Sequence, residues 1–319
     1  MSMKRLAFFL ITLLFFCPTF AQSGWQPEQK ELAAPVYFLA SPLLEGREVG
    51  ERGSLVAAEY IASAMEQIGL LPAGDIRLGK ADWFQDFEFI PRKTKPEEGK
   101  RGKMTVRNVL GMIKGVDTSK YVVVGAHYDH LGMRGDTIFP GAVDNASGVS
   151  GALALAKRWN SLDKRPPCNL IFAAWTAEEK GHQGSNYFVH HFAPGQKNFL
   201  FTINFDMISR SAPEDTACNI LSIGVLKEDT LIREMATRNN AALGINLELD
   251  LWITGENGGS DYAAFTAYGV PIMTFHAGEN IDYHTPEDTR DKMDWPKMIK
   301  VIKLANSCLE EFLERWKLQ

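Results

Sequence analysis

The sequence predicts an α/β protein of three layers, α/β/α, around a central, mostly parallel mixed sheet folded as a single domain. Three observations lead there. The runs 121–126 (YVVVGA), 169–175 (NLIFAAW) and 199–205 (FLFTINF) are short and largely apolar, the pattern of strands covered on both faces. The stretches between them carry helical spacing, and strands alternating with helices build sheets flanked on both sides. The 319 residues, 45% hydrophobic and 23% charged, suffice for one large core, and no repeat, low-complexity tract or long linker divides them.

Residues 1–21 read as a secretory leader. Lys4 and Arg5 precede the apolar run 6–16, broken by Thr12, and Thr19-Phe20-Ala21 fits a small-x-small cleavage site. Lipidation at Cys17 is disfavoured, because Phe15 and Phe16 stand where small residues are wanted. The run is shorter than the roughly 20 residues of a spanning helix, so the expectation is an exported protein, periplasmic or secreted, with no stable membrane insertion after cleavage. Within 22–319, an N-terminal helical and strand-bearing extension covers about 22–105. Residues 29–39 read as a helix ending at Ser41-Pro42. The span 54–68 is amphipathic, with Val56, Tyr60, Ile61, Ala64, Met65 and Ile68 on one face, and Gly69 and Pro72 stop it. Residues 83–90 (WFQDFEFI) alternate as a strand, 93–103 is a charged loop or hairpin tip, and 106–113 is a second strand. Beyond them, 148–160 and 227–243 read as helices, 271–275 (PIMTF) as a strand and 295–316 as a long C-terminal helix.

In such sheets the reactive residues gather where the strands end. YVVVGA runs into His127-Tyr128-Asp129, NLIFAAW into Glu178-Glu179, FLFTINF into Asp206, and PIMTF through a short loop into Tyr283-His284. Asp144-Asn145 precedes the helix 148–160. Singly, each has a plain explanation: Asp144 as a helix cap, the glutamates as a solvated face, the histidines as structural. Together they bring histidine and carboxylate to one edge, which points to a metal site. Two adjacent acids after a buried strand face opposite sides, so one is able to bind metal while the other stays free. His127-x-Asp129 supplies a carboxylate to hold the ligand ring's other nitrogen.

This constellation resembles the co-catalytic dizinc aminopeptidases of the bacterial leucyl aminopeptidase type. The resemblance runs from Leu39-Ala-Ser-Pro-Leu-Leu-Glu-Gly-Arg47 through His127-x-Asp129, Asp144-Asn-Ala-Ser-Gly148, Glu178-Glu179, Asn204-Phe-Asp-Met207 and Ser260-Asp261 to His284-Thr-x-Glu-Asp288. It implies a zinc-peptidase-like fold in which Asp144 bridges two Zn2+ ions, His127 and Asp206 complete one site, and Glu179 and His284 complete the other. Nitrogen and oxygen donors without thiolate suit zinc, with Co2+ or Mn2+ as substitutes. The resemblance also implies Glu178 as general base, Asp129 as the residue orienting His127, and peptides with a free N-terminus as substrates. Met207 and Tyr283, each beside a ligand, are candidate walls of the substrate pocket. His130, His182, His190, His191 and His276 are read as structural or surface residues, with His276 the nearest to the site. Some relatives carry a cysteine pair before Ser260-Asp261, which this chain lacks; Gly258-Gly259-Ser260-Asp261 reads as a turn opening a helix.

Other readings stay open. A glutaminyl cyclase-like enzyme would use a single zinc, and a binding protein would keep the fold without catalysis; related carboxypeptidases carry large extra domains for which 319 residues leave no room. Lys+Arg 34 against Asp+Glu 39 gives a net charge of −5, and removal of Lys4 and Arg5 lowers it further. Without a basic run, phosphate neutralisation has no footing and nucleic acid is not an expected partner. Cys168, Cys218 and Cys308, an odd, sparse set in no metal-ligand spacing, allow one bridge at most. The absence of heptads favours a monomer.

Overall fold

The computed structural model describes residues 24–90, 103–254 and 259–317. The leader expected at 1–21, most of the charged segment 93–103, and Gly258 lie outside them. The chain opens with α1 (Gln29–Leu39) and α2 (Arg52–Ile68). Gly69 ends α2 at φ +93°, a left-handed conformation that glycine adopts without steric cost.

One nine-stranded sheet organises the rest. Its members are β1 (Leu71–Pro72), β2 (Phe84–Phe89), β3 (Met104–Ile113), β4 (Asp117–His127), β5 (Cys168–Trp175), β6 (Phe199–Phe205), β7 (Ile220–Val225), β8 (Glu248–Ile253) and β9 (Ile272–His276). They lie in the order β1-β3-β5-β4-β6-β9-β7-β8, with β2 also paired to β3. The four central strands β5, β4, β6 and β9 run parallel. Strands β1 and β2 flank β3 antiparallel, β3 joins β5 antiparallel, and β7 meets β9 antiparallel while running parallel to β8.

The apolar runs fill two layers by alternation. Val122, Val124, Leu170, Phe172, Phe201 and Ile203 join the large core shared with α1, α2, α3 (Ser147–Asn160) and α7 (Trp295–Lys317). Val123, Ile171, Ala173, Trp175 and Phe199 face the other way, toward α4 (Gln183–His190) and the single-turn α6 (Ala263–Thr266). The three layers are thus those expected, and the N-terminal extension shares the main core. Helix α5 (Thr230–Ala242) begins three residues later than its pattern predicts and packs beside α7. The expected helix after Ser260-Asp261 is only the four-residue α6. Cys168 and Cys308 are buried and Cys218 exposed, all unbonded. Among the described residues, no helix is long and apolar enough to cross a membrane.

At the start of α7 the ammonium of Lys297, 1% exposed, donates to Ser211 Oγ, to Asp215 Oδ2 at 3.2 Å and to the Ala277 carbonyl at 3.1 Å. Burial opposes the charge on Asp215, yet the backbone N–H groups of Asn219 and Ile220, with Ser211 and Lys297, hold its carboxyl at about 2, below the ordinary 3.8. A depressed carboxyl stabilises the fold above the unfolded-state value and loses that contribution as the pH falls toward the folded one. Asp215→Ala strands a buried ammonium and is expected to lower unfolding stability by about 3 kcal/mol at pH 7. Urea titrations of wild type and variant should show the gap closing between about pH 4 and pH 2.

Candidate metal centre

The site forms where the parallel strands end. His127 is the last residue of β4, Glu178 and Glu179 follow β5 by a short turn with Ala177 at φ +56°, and Asp206 follows β6 directly. Asp144 lies in the turn before α3. It is held there because Asp288 accepts the N–H groups of Val143 (2.9 Å) and Asp144 (3.0 Å). Asn145 ties the same turn to β6, donating to the Phe205 carbonyl at 2.9 Å and accepting from the Gly148 and Met207 N–H groups.

Two donor groups result, and Asp144 belongs to both. His127, Asp144 and Asp206 form one; His130, Asp144 and Glu179 form the other. His127 Nε2 lies 3.3 Å from Asp144 Oδ1 and 3.6 Å from Asp206 Oδ1. On the opposite side of the carboxylate, Asp144 Oδ2 is 3.1 Å from His284 Nε2 and 3.5 Å from His130 Nδ1. Glu179 Oε1 completes that side, 2.9 Å from His130 Nδ1 and 3.6 Å from His284 Nε2. Glu178 stands beside both groups, its Oε2 3.9 Å from His127 Nε2 and its Oε1 3.1 Å from His182 Nε2.

The electrostatics follow from crowding. Burial opposes a charged His127 ring, but Glu178, Asp144 and Asp206 outweigh it and raise its pKa well above the usual value. His284, opposed by burial but facing Asp144 and Glu179, rises to about 10. Burial pushes the Glu178 carboxyl well up, with Asp261, Asp206 and Glu179 adding to that push against His127. Asp261, itself buried, rises to about 7. Glu179 falls to about 2, because His130 and His284 outweigh burial and the repulsion of Asp144. Clustered carboxylates and imidazoles in an enclosed space are the donor chemistry of a zinc site. A cavity of about 510 Å³ opens over this cluster, lined also by Met207 and Tyr283.

Residues 108–308, a span that contains every candidate ligand, match peptidase family M28. The chain belongs to that family. Among curated relatives it is 29% identical to a probable zinc metalloprotease of Pyrenophora tritici-repentis over 46% of this chain and 34% of the relative. It is 26% identical to the aminopeptidase YwaD of Bacillus subtilis, over 67% of this chain and 46% of the relative. The match thus spans about a third of the first relative's length and about half of the second's. Among solved structures, a zinc aminopeptidase from Bacillus subtilis superimposes with a TM-score of 0.73 at 18% identity, covering 90% of this chain and 96% of that one. A glutaminyl cyclase from Porphyromonas gingivalis gives 0.65 at 15% identity, covering 89% and 98%. At such identities these likenesses describe the fold.

All five expected ligands of this M28 chain, His127, Asp144, Glu179, Asp206 and His284, thus lie within one cluster, with Glu178 beside them. Other residues depart from expectation. His130, read as structural, is fully buried with Nδ1 against Glu179, and its Nε2 has no hydrogen-bond partner among the described residues. His182 contacts Glu178, whereas His276 lines the cavity in keeping with its expected place nearest the site. Asp129 meets the His127 ring through its backbone carbonyl, 3.1 Å from Nδ1, with the nearer carboxylate oxygen at 3.9 Å. That carboxylate is engaged elsewhere, accepting from the N–H groups of Glu178 (3.1 Å) and Glu179 (3.4 Å). Burial pushes it up to about 6.

Arg47 lies behind the cluster, entirely buried. Nε donates to the Tyr128 carbonyl (2.7 Å), Nη1 to those of Leu39 (2.5 Å) and Pro140 (2.6 Å), and Nη2 to that of Gly141 (2.8 Å). Burial lowers its pKa to about 10, against the attraction of Asp144, Asp288, Asp129 and Glu179. Because Asp288 fixes the turn that presents Asp144, Asp288→Ala is expected to lower metal affinity about 10–100-fold, as loss of a ligand's supporting partner does. Equilibrium dialysis against zinc with elemental analysis would measure it.

Proposed function

We propose that this chain is an exported zinc aminopeptidase that removes the first residue of peptides, with two zinc ions per chain and Glu178 as general base. The observation that carries the reading is the sharing of Asp144 between two donor groups while Glu178 stands in the same cavity outside both. His127 and Asp206 would hold one ion with Asp144, and Glu179 and His284 the other, joined by His130. Cobalt or manganese would substitute in the same donors. Bound there, the ions would polarise the scissile carbonyl and acidify a water.

Glu178 accepts the proton of the attacking water and delivers it to the leaving amine. His182 steadies Glu178 through its Nε2, 3.1 Å from Oε1. Asp129 fixes the backbone on which Glu178 and Glu179 stand, so base and ligand keep their separation through the reaction. The crowd of carboxylates suits the cationic free amine of a peptide N-terminus, which restricts cleavage to the first residue. The leader expected at 1–21 supports export, to the periplasm or beyond it.

Hydrolysis of aminoacyl-p-nitroanilides that stops with a chelator and returns with zinc is the expected behaviour. Glu178→Gln should retain zinc and lower kcat by about 10²–10⁴-fold; near-wild-type turnover would remove Glu178 from the role of base. Cyclisation of a glutaminyl substrate in place of hydrolysis would transfer the site to glutaminyl cyclase chemistry.

A further inference from the structure

Beyond the candidate ligands the cavity extends over the ends of β7, β8 and β9, and its floor there is built by strand register. Ser222 pairs with Asp250 on one side and with His276 on the other; one step along, Gly224 pairs with Trp252 and Thr274. Partners in register present their side chains to the same face of the sheet, and five of these six residues line the cavity, Gly224 being the exception. Gly224 permits this: a Cβ there would lie 2.6 Å from the Trp252 ring and 2.7 Å from Thr274 Cγ2.

The chemistry of that floor is polar and acidic. Ser222 Oγ donates to Asp250 Oδ2 at 2.9 Å, so Asp250 is oriented. Glu279 contributes a second carboxylate to the lining. The Trp252 ring is braced edge-on by Tyr262, centroids 5.9 Å apart. His276 Nδ1 accepts the Gly278 N–H at 3.0 Å. Apart from histidines, no described residue of the lining is cationic.

We propose that this floor is the pocket for the substrate's first side chain and that it selects lysine and arginine. The proposal rests on the aminopeptidase reading. An apolar side chain would take water from Asp250, Ser222 and Thr274 and return no hydrogen bond. A lysine or arginine lays its aliphatic stem along Trp252, where an aromatic face also attracts the cation, and brings its head to Asp250 and Glu279. Both carboxylates are exposed, which lets the head remain partly hydrated.

The test compares kcat/KM on Lys-, Arg-, Leu- and Glu-p-nitroanilides for the zinc-loaded full chain, Asp250→Asn and Glu279→Gln. Asp250 is exposed, and asparagine can still accept from Ser222, so the fold is retained. Lys and Arg substrates are expected to exceed Leu by at least about tenfold, a margin that narrows as salt screens the charges. Asp250→Asn should lower the Lys-to-Leu ratio of kcat/KM about tenfold, and Glu279→Gln should lower it in the same direction. Leu equal to or better than Lys, or a ratio unmoved by both variants, would overturn the assignment. Turnover of none of the four would overturn the aminopeptidase reading instead. Calorimetry with free L-lysine and L-leucine decides the pocket separately: tighter lysine binding, weakened in Asp250→Asn, supports it, and equal affinity ends it.

Discussion

Four carboxylates and three imidazoles meet at the ends of the parallel strands, and the surrounding structure answers the repulsion among those acids. Charges a few ångströms apart in a poorly solvated space interact strongly, and a divalent cation is the natural counterweight. His127 and His284 answer the acids with positive charge, which is why their pKa values rise although burial acts the other way. Acids outside the cluster fix the acids inside it. Asp129 and Asp288 each accept two consecutive backbone N–H groups, the first under Glu178 and Glu179, the second at Val143 and Asp144.

The sheet explains why these groups meet at all. Strands β4, β5 and β6 run parallel and adjacent, so His127, the glutamate pair and Asp206 emerge from the same edge. Strand β7 reverses direction against β9 and carries β8 with it. The reversal turns the far end of the sheet into a floor beside the cluster, and the same edge therefore offers donors on one side and a side-chain pocket on the other.

Much of this was legible in the residues. Continuous apolar runs marked the central strands, and an acid or histidine directly after each marked the edge. Strands β7 (ILSIGV) and β8 (ELDLWI) escaped notice because Ser222, Gly224 and Asp250 interrupt their hydrophobicity, and two of those interruptions, Ser222 and Asp250, line the cavity. His130 escaped because the His127-x-Asp129 spacing already accounted for one ligand. Its signal was the run from Val122 to His130, buried throughout: a histidine ending such a run has little chance of reaching solvent. The work of Asp129 and Asp288 was hidden for another reason. Their partners are backbone N–H groups distant in sequence, and a backbone leaves no mark in residue identity.

The buried guanidinium of Arg47 has a consequence for what counts as the catalytic unit. It binds carbonyls from the end of α1, from the segment after β4 and from the turn leading to Asp144. The span 108–308 that marks the family begins well after Arg47. Excised at that boundary, it would leave the carbonyls of Tyr128, Pro140 and Gly141 lining a hole with no donor to fill it, a penalty that falls on the very segments presenting His127 and Asp144. The smallest unit able to hold the donor cluster is therefore larger than the stretch by which its kinship is recognised, and the helices ahead of it are an internal part of that cluster's foundation.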